Sequence, residues 1–234
     1  KQDSGTANHL FAVSFVDEQY GWAVGDFGTV MHTVDGGRTW AQQGSGEDKI
    51  YNDVCFVDRN NGWVVGEYGT IYATNDGGAT WRKQECAEIV PVVSASEWEL
   101  FPPSLYGVDF SSSREGLACG MDGTIISTAD GGATWHKIQN PAQATKITLY
   151  KIKGRGANRI AVGQKGICVF SEDSGRTWTM REESTNTKFW IRDLAVSTEL
   201  QAWAVGSRGT ILKTDDGAKT WDVVSGIALN VKSE

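Results

Sequence analysis

The stretch TVDGGRTW (residues 33–40) recurs four more times along the chain. It returns as TNDGGATW (74–81), TADGGATW (128–135), SEDSGRTW (171–178) and TDDGAKTW (214–221). The closing tryptophans Trp40, Trp81, Trp135, Trp178 and Trp221 are separated by 41, 54, 43 and 43 residues. Self-similarity at a period of roughly 40–45 residues marks a propeller or a solenoid.

Each eight-residue box closes a unit built from the same parts. In the first unit, LFAVSFVD (10–17), GWAVG (21–25), GTVMHT (28–33) and RTWAQQ (38–43) are short β-branched and aromatic runs parted by Gly and Asp. Such runs read as hairpin-linked strands. The second unit follows closely: YNDVCFVD (51–58), GWVVG (62–66), GTIYAT (69–74) and TWRKQ (80–84). The third has SLYGVDF, GLACG, GTIIST and TWHKI; the fourth is looser, with TLYKIKG, IAVG, GICVFS and TWTMR. The fifth has FWIRDLAV, AWAVG, GTILKT and TWDVV. Helical periodicity is absent. The fold expected is an all-β propeller, one domain over 1–234, with five four-stranded blades at about 10–43, 50–85, 104–140, 148–181 and 189–225. A ring of blades covers both faces of each small sheet and leaves only short edges. Residues 226–234 read as a tail, an added outer strand.

Within the box, the third-place carboxylates Asp35, Asp76, Asp130, Asp173 and Asp216 suit acceptance of backbone N–H groups from their own turn. The fifth-place glycines Gly37, Gly78, Gly132 and Gly175 suit positive φ. The fifth box has Ala218 there, with Gly217 one place earlier, so an altered turn is expected. The closing Trp is expected to bury its ring against a neighbouring blade, with its indole N–H on a partner. Recurrence at one turn of every unit makes these carboxylates structural.

Composition narrows the function classes. A net charge of −7 and a pI near 5.1 argue against nucleic acid, which demands a dense basic patch. Cys55, Cys119 and Cys168 lie in apolar runs and read as small hydrophobes, while Cys86 opens an insertion. Their spacing is not that of a disulfide scaffold. No apolar run approaches the ~18 residues of a membrane-spanning helix. The opening Lys1, without Met or an apolar leader, reads as a processed or trimmed form. His9, His32 and His136 have no metal spacing and no nucleophile beside them. A calcium site at Asp215–Asp216 would need about six oxygen ligands, and no loop supplies them. No cofactor and no metal are expected.

The variable parts point elsewhere. In a four-stranded blade the hairpin between strands two and three lies at the end opposite the box. Its tips are Asp26-Phe27, Glu67-Tyr68, Met121-Asp122, Gln164-Lys165 and Ser207-Arg208. The long step between Trp81 and Trp135 carries an excess of 11 to 13 residues, in CAEIVPVVSASEWELFPP (86–103). That insertion brings Trp98 and Phe101 to the same end. The candidate binding face is therefore Asp26, Phe27, Glu67, Tyr68, Trp98, Phe101, Met121, Asp122, Lys165 and Arg208. Variable exposed side chains on a rigid frame are the usual carriers of recognition.

The motif S/T-x-D-x-G-x-T-W is similar to the Asp-box, or BNR repeat, of β-propeller hairpins. The longer unit, with GWAVG and GTI ahead of the box, resembles the photosystem II stability/assembly factor family and its bacterial relatives, over about residues 10–224. That resemblance implies a non-enzymatic scaffold that binds a protein partner. In photosynthetic members the partner is a reaction-centre subunit on the lumenal side. It also implies a periplasmic, extracellular or thylakoid-lumen-like compartment. Those members resemble one another in an arginine-rich patch and in seven units; an acidic chain of five units departs from both. The alternative, from the wider Asp-box group, is a glycan-directed hydrolase or lectin. The sialidase-like Arg-Ile-Pro is absent, the nearest string being Asn158-Arg159-Ile160-Ala161. No carboxylate pair at the roughly 5–10 Å that glycoside hydrolysis needs is singled out, Asp53 and Asp109 being one combination.

Overall fold

The computed structural model describes residues 2–44, 47–89, 101–181 and 185–225. Trp98 and the tail 226–234 lie outside them. The described strands form five four-stranded antiparallel sheets, the blades of a β-propeller, each in simple sequential order. Blade one comprises Leu10–Phe15, Gly21–Gly25, Thr29–Thr33 and Ala41–Gly44. Blade two comprises Tyr51–Phe56, Gly62–Gly66, Ile71–Thr74 and Arg82–Gln84. Blade three comprises Leu105–Phe110, Gly116–Gly120, Ile125–Thr128 and His136–Lys137. Blades four and five run Leu149–Arg155, Asn158–Gly163, Cys168–Ser171, Thr179–Met180, and then Ile191–Val196, Ala202–Gly206, Ile211–Thr214, Asp222–Ser225. One short helix, Ala142–Thr145, follows blade three; a single turn is too brief to carry a period in the sequence.

The chain divides into two compact units. The first holds Lys1–Ala118 and Ile126–Lys137, hence blades one, two and the box end of blade three. The second holds Cys119–Ile125 and Ile138–Glu234, hence the tip of blade three with blades four and five.

In the first unit, aromatic rings set the packing. Phe15, Phe56 and Phe110 end the first strands of their blades. Each covers the glycine that opens the second strand: a Cβ on Gly21, Gly62 or Gly116 would lie 2.4–2.5 Å from that ring. Trp22 then lies flat on Phe56, with centroids 3.6 Å apart and planes at 5°. Trp63 lies flat on Phe110 at 3.5 Å and 6°. The indole N–H of Trp22 donates to Gly77 O of blade two at 3.0 Å, and that of Trp63 to Gly131 O of blade three at 3.0 Å. A buried indole N–H finds such partners because leaving it unpaired costs about 1–3 kcal/mol. These second-strand tryptophans, not the box tryptophans, carry the flat contact between blades.

The box tryptophans stand edge-on to the phenylalanine of their own blade. The pairs are Phe15–Trp40, Phe56–Trp81 and Phe110–Trp135, at 5.8–6.1 Å and 85–88°. They also pack into clusters shared with the preceding blade, as expected: Trp81 against the cluster of Trp22, Trp135 with Trp63 and Cys86, and Trp221 with Ile160 and Cys168. The neighbour supplies hydrogen bonding as well at one junction. There Gln84 of blade two accepts Trp135 Nε1–H at 3.1 Å and donates to Gly131 O at 2.9 Å.

In the second unit the cluster is largely aliphatic. Ile160, Val162, Cys168, Phe170, Ile191, Leu194 and Leu212 are buried together with Trp221. The Phe–Gly pair is exchanged in blade four. Gly154, next to last in the first strand, lies opposite Arg159, whose Cδ lies 2.3 Å from where a Gly154 Cβ would sit. Arg159 is buried and donates through Nη1 to Gly156 O and Asn158 O at 2.7 and 2.9 Å. Blade five pairs Val196 with Ala202 at this place.

The four cysteines form no disulfide and are buried. Burial pushes the Cys168 thiol up to about 12 and raises that of Cys86, so both act as small apolar groups. His32 is stacked on Trp22 at 4.6 Å, and burial lowers its pKa. His136 contacts Glu88 at 3.0 Å.

Candidate recognition surface

The box end of each blade is closed chemistry. Thr33 Oγ1 donates to Asp35 Oδ1 at 2.8 Å and accepts Gly37 N–H at 2.9 Å. Asp35 also accepts the N–H and the hydroxyl of Thr39, at 2.9 and 2.8 Å. The same bonds recur around Asp76, Asp130, Asp173 and Asp216. The N–H and hydroxyl of Thr39, then the Thr33 hydroxyl, hold the Asp35 carboxyl down at about 2. The hydroxyl and N–H of Thr80, Thr134 and Thr177 do so for Asp76, Asp130 and Asp173, also to about 2. At Asp216 burial works against ionisation, yet the Thr220 hydroxyl and N–H keep it below the ordinary carboxylate range. A carboxylate with its lone pairs so engaged is a poor general base and a poor metal ligand, which supports a structural role for all five.

The fifth box is not altered as expected. Gly217 and Ala218 take φ of 75° and 71°, and Ala218 N–H still reaches Thr214 Oγ1 at 3.1 Å. The hydrogen bonds hold a non-glycine residue in the left-handed region, as they also hold Ser174 at φ 63° in the fourth box.

The tips are built on a second recurrent turn. Phe27, Tyr68, Asp122, Lys165 and Arg208 all have φ between 52° and 58°. Each follows a residue whose N–H is fixed, in four blades, to the carbonyl just ahead of that blade's first strand. Asp26 N–H reaches His9 O, Glu67 N–H reaches Ile50 O, Gln164 N–H reaches Thr148 O and Ser207 N–H reaches Trp190 O, at 2.8–3.1 Å. A register shift follows in the first strand of each of these blades, at Leu10/Ala12, Tyr51/Asp53, Leu149/Lys151 and Ile191/Asp193. Bulges of this kind re-aim the side chains beside them. Left-handed backbone in a non-glycine residue costs roughly 1–3 kcal/mol and persists where its surroundings fix it.

In the first unit the tips of blades one and two are joined through Lys49. Gly28 N–H donates to Lys49 O at 2.6 Å, and Lys49 Nζ lies 5.1 Å from the Tyr68 ring centroid. Phe101, the described aromatic of the insertion, meets Tyr68 at 4.6 Å, and Tyr68 N–H reaches Ser104 Oγ at 3.3 Å. Phe27 and Phe101 are exposed. Asp26 is held by His9 Nδ1 at 3.2 Å, and Glu67 accepts Ile50 N–H at 3.2 Å. Tyr68 and Phe101 thus form an aromatic pair, tied through Lys49 to the turn that carries Phe27.

The second unit differs in charge. Met121 and Asp122 are exposed above Gly123, which abuts the backbone of the short helix and whose carbonyl accepts Asn140 Nδ2–H at 2.9 Å. Lys165 and Arg208 are exposed, and Arg208 lies 5.4 Å over Phe189. Arg192 stands 4.2 Å from the Tyr150 ring centroid and 4.9 Å from that of Trp190. Tyr150 Oη accepts Gln164 Nε2–H at 3.0 Å, and Trp190 N–H donates to Ser207 Oγ at 3.2 Å. Lys49, Tyr150, Trp190 and Arg192 were missed by the reading of tips alone. Their signal was available: the residues leading into each first strand bond the tips, and Phe189-Trp190 breaks the pattern there. Among the described residues no group of three or more His, Cys, Asp and Glu is placed to hold a metal ion. No described helix is long and apolar enough to cross a membrane.

The family model of the photosynthesis system II assembly factor YCF48 matches residues 45–95 and 90–186, more than half of the chain. The chain belongs to the YCF48 family. A solved structure of YCF48 bound to D1 peptide superposes with a TM-score of 0.61 at 22% identity, covering 94% of this chain and 83% of that one. The WD40 β-propeller domain of Doa1 superposes at 0.63 with 15% identity, covering 94% of this chain and 68% of that one. The GH74 xyloglucanase from Xanthomonas campestris superposes at 0.69 with 12% identity, covering 96% of this chain and 40% of that one. At these identities the likeness establishes the propeller fold alone. No curated protein matches the sequence.

Proposed function

We propose that this YCF48-family chain is a non-enzymatic assembly scaffold whose blade tips recognise a segment of a partner protein. The observation that carries the reading is the recurrent tip: one fixed backbone turn in every blade, bearing Phe27, Tyr68, Asp122, Lys165 and Arg208 outward. Catalysis has no comparable support, because the recurring carboxylates are already committed to their own turns. Membership of the family supports a protein as the ligand, and YCF48 has itself been solved with a D1 peptide. The candidate residues are those named from the sequence, with Lys49, Tyr150, Trp190 and Arg192 added. The exposed aromatic side chains Phe27, Tyr68 and Phe101 of the first unit suit apolar side chains of the partner. The Lys165, Arg192 and Arg208 group suits its acidic ones. The compartment that goes with this reading is lumenal, periplasmic or extracellular.

Crosslinking mass spectrometry in an extract of the source organism tests it. The native chain is expected to capture a protein through tip residues. The Phe27→Ala/Tyr68→Ala and Lys165→Ala/Arg208→Ala variants should each weaken that capture at least tenfold, as anchor residues at an interface do. Unchanged capture by both variants, or turnover of xyloglucan by the native chain, would remove the proposal.

A further inference from the structure

The junction of blades one and two and that of blades two and three both lie within the first unit. They follow one plan and are filled differently. At the first, three large side chains meet beside the Trp22 stack. Arg59 lies 3.9 Å over the Tyr20 ring and donates through Nε to Asp17 Oδ2 at 2.9 Å. His32 lies flat on Trp22 at 4.6 Å and 11°, with the Tyr20 ring 6.2 Å away. At the second junction each of these places holds a smaller residue. Asn61 stands for Tyr20, just ahead of the glycine that opens the second strand. Ala73 stands for His32, paired with Trp63 as His32 is with Trp22. Ser113 stands for Arg59, three residues past the phenylalanine that ends the first strand.

Asn61, Ala73 and Ser113 line a cavity of about 290 Å³ at the box end of this junction. At ~30 Å³ each, that is room for roughly ten water molecules. Trp63 and Ala73 form its apolar side, while Asn61, Asn75, Gln84 and Ser113 form its polar side. Asn75 and Ser113 are exposed, and their side chains hydrogen-bond to no described residue. Arg82 and Asp130 add one charge of each sign. The Asp130 carboxylate is spent on Thr128 and Thr134, so it opposes an anion without offering a cation a seat. Arg82 opposes a cation outright. A like charge nearby disfavours the charged form of any entering group. A neutral ligand rich in hydroxyl groups escapes both conflicts. The amides, the Ser113 hydroxyl and the Arg82 guanidinium match its hydroxyls, and Trp63 with Ala73 matches its C–H face.

We propose that the cavity between blades two and three binds one pyranose residue of a glycan. The site lies at the box end, requires no catalysis and does not depend on the tips' recognition of a protein.

Saturation-transfer NMR with the methyl glycosides of glucose, galactose, mannose and N-acetylglucosamine tests the proposal, with acetate, methylguanidinium and alanine as charged controls. At least one glycoside should receive saturation and shift the Trp63 Nε1–H resonance of the isotope-labelled chain. Asn61→Tyr/Ala73→His/Ser113→Arg rebuilds the filled junction and should abolish both signals. Should circular dichroism show that variant misfolded, Asn75→Ala/Arg82→Ala, at two exposed positions, replaces it. This pair should weaken binding about tenfold, the loss of one charge-assisted hydrogen bond. Phe27→Ala/Tyr68→Ala should leave glycoside binding unchanged, which separates this site from the tips. Absence of glycoside binding, preference for a charged control, or binding that survives the cavity substitutions would overturn the proposal.

Discussion

In the first unit, Trp22 and Trp63 lie flat on Phe56 and Phe110, and each Phe covers a glycine of its own blade. In the second unit, Ile160 and Val162 of blade four share a cluster with Leu194 of blade five, Val196 packs against it, and blade four exchanges the Phe–Gly pair for Gly154 and Arg159. The Asp-boxes of the two units are nevertheless the same to within a few tenths of an ångström in their hydrogen bonds. The repeat therefore separates two tasks. The box fixes the turn by bonds that each blade makes alone. The junction needs only volume and apolarity, and different residues supply them.

The largest effect is expected at the aromatic junction. Trp63→Ala removes a buried stack and its hydrogen bond to Gly131, and should lower unfolding stability by about 3–5 kcal/mol. Ile160→Val at the corresponding place in blade four should cost only about 0.5–1.5 kcal/mol. Urea titration of both variants compares them, and equal losses would show that the aromatic stack adds nothing to burial. Next comes the exchanged pair. Gly154→Phe alone should be strongly destabilising, since Arg159 fills the space, whereas Gly154→Phe with Arg159→Gly should recover part of the loss. Coupling of about 0.5–3 kcal/mol in a double-mutant cycle is the expected result, and simple additivity would show that the two residues do not share one volume. The smallest effect lies in the boxes. Ala218→Gly relieves a residue at φ 71° and should stabilise by at most about 1 kcal/mol, while Gly132→Ala at φ 89°, with Gln84 2.0 Å from the new Cβ, should destabilise. Thermal melts read both, and a destabilising Ala218→Gly would break the equivalence of the five boxes.

How far the sequence could be read follows the same division. The box was legible because the side chains of Thr33, Asp35 and Thr39 and the Gly37 N–H bond within the box, so their spacing is their structure. The blade count and the strands followed from its recurrence. The junctions were half legible. GWAVG and the Phe at the end of strand one are both visible in the sequence, but nothing local says that Trp22 meets Phe56 while Trp40 meets Phe15. The altered turn expected at Ala218 failed because the hydrogen bonds that Thr214 and Asp216 accept from the Ala218 and Thr220 N–H groups outweigh the preference of one residue for negative φ. At the tips, the positions were legible and their neighbours were not. Lys49 and Trp190 join through backbone bonds between segments distant in sequence, and Arg192 through the rings of Tyr150 and Trp190.

The tip turn has one more consequence. Its bonds at Asp26, Glu67, Gln164 and Ser207 run between backbone atoms, and the left-handed residue that follows each contributes nothing from its side chain to them. Phe, Tyr, Asp, Lys and Arg already occupy that socket in one molecule. The frame is thus indifferent to what it displays, and new specificity can be written at five places by single substitutions, without renegotiating the fold.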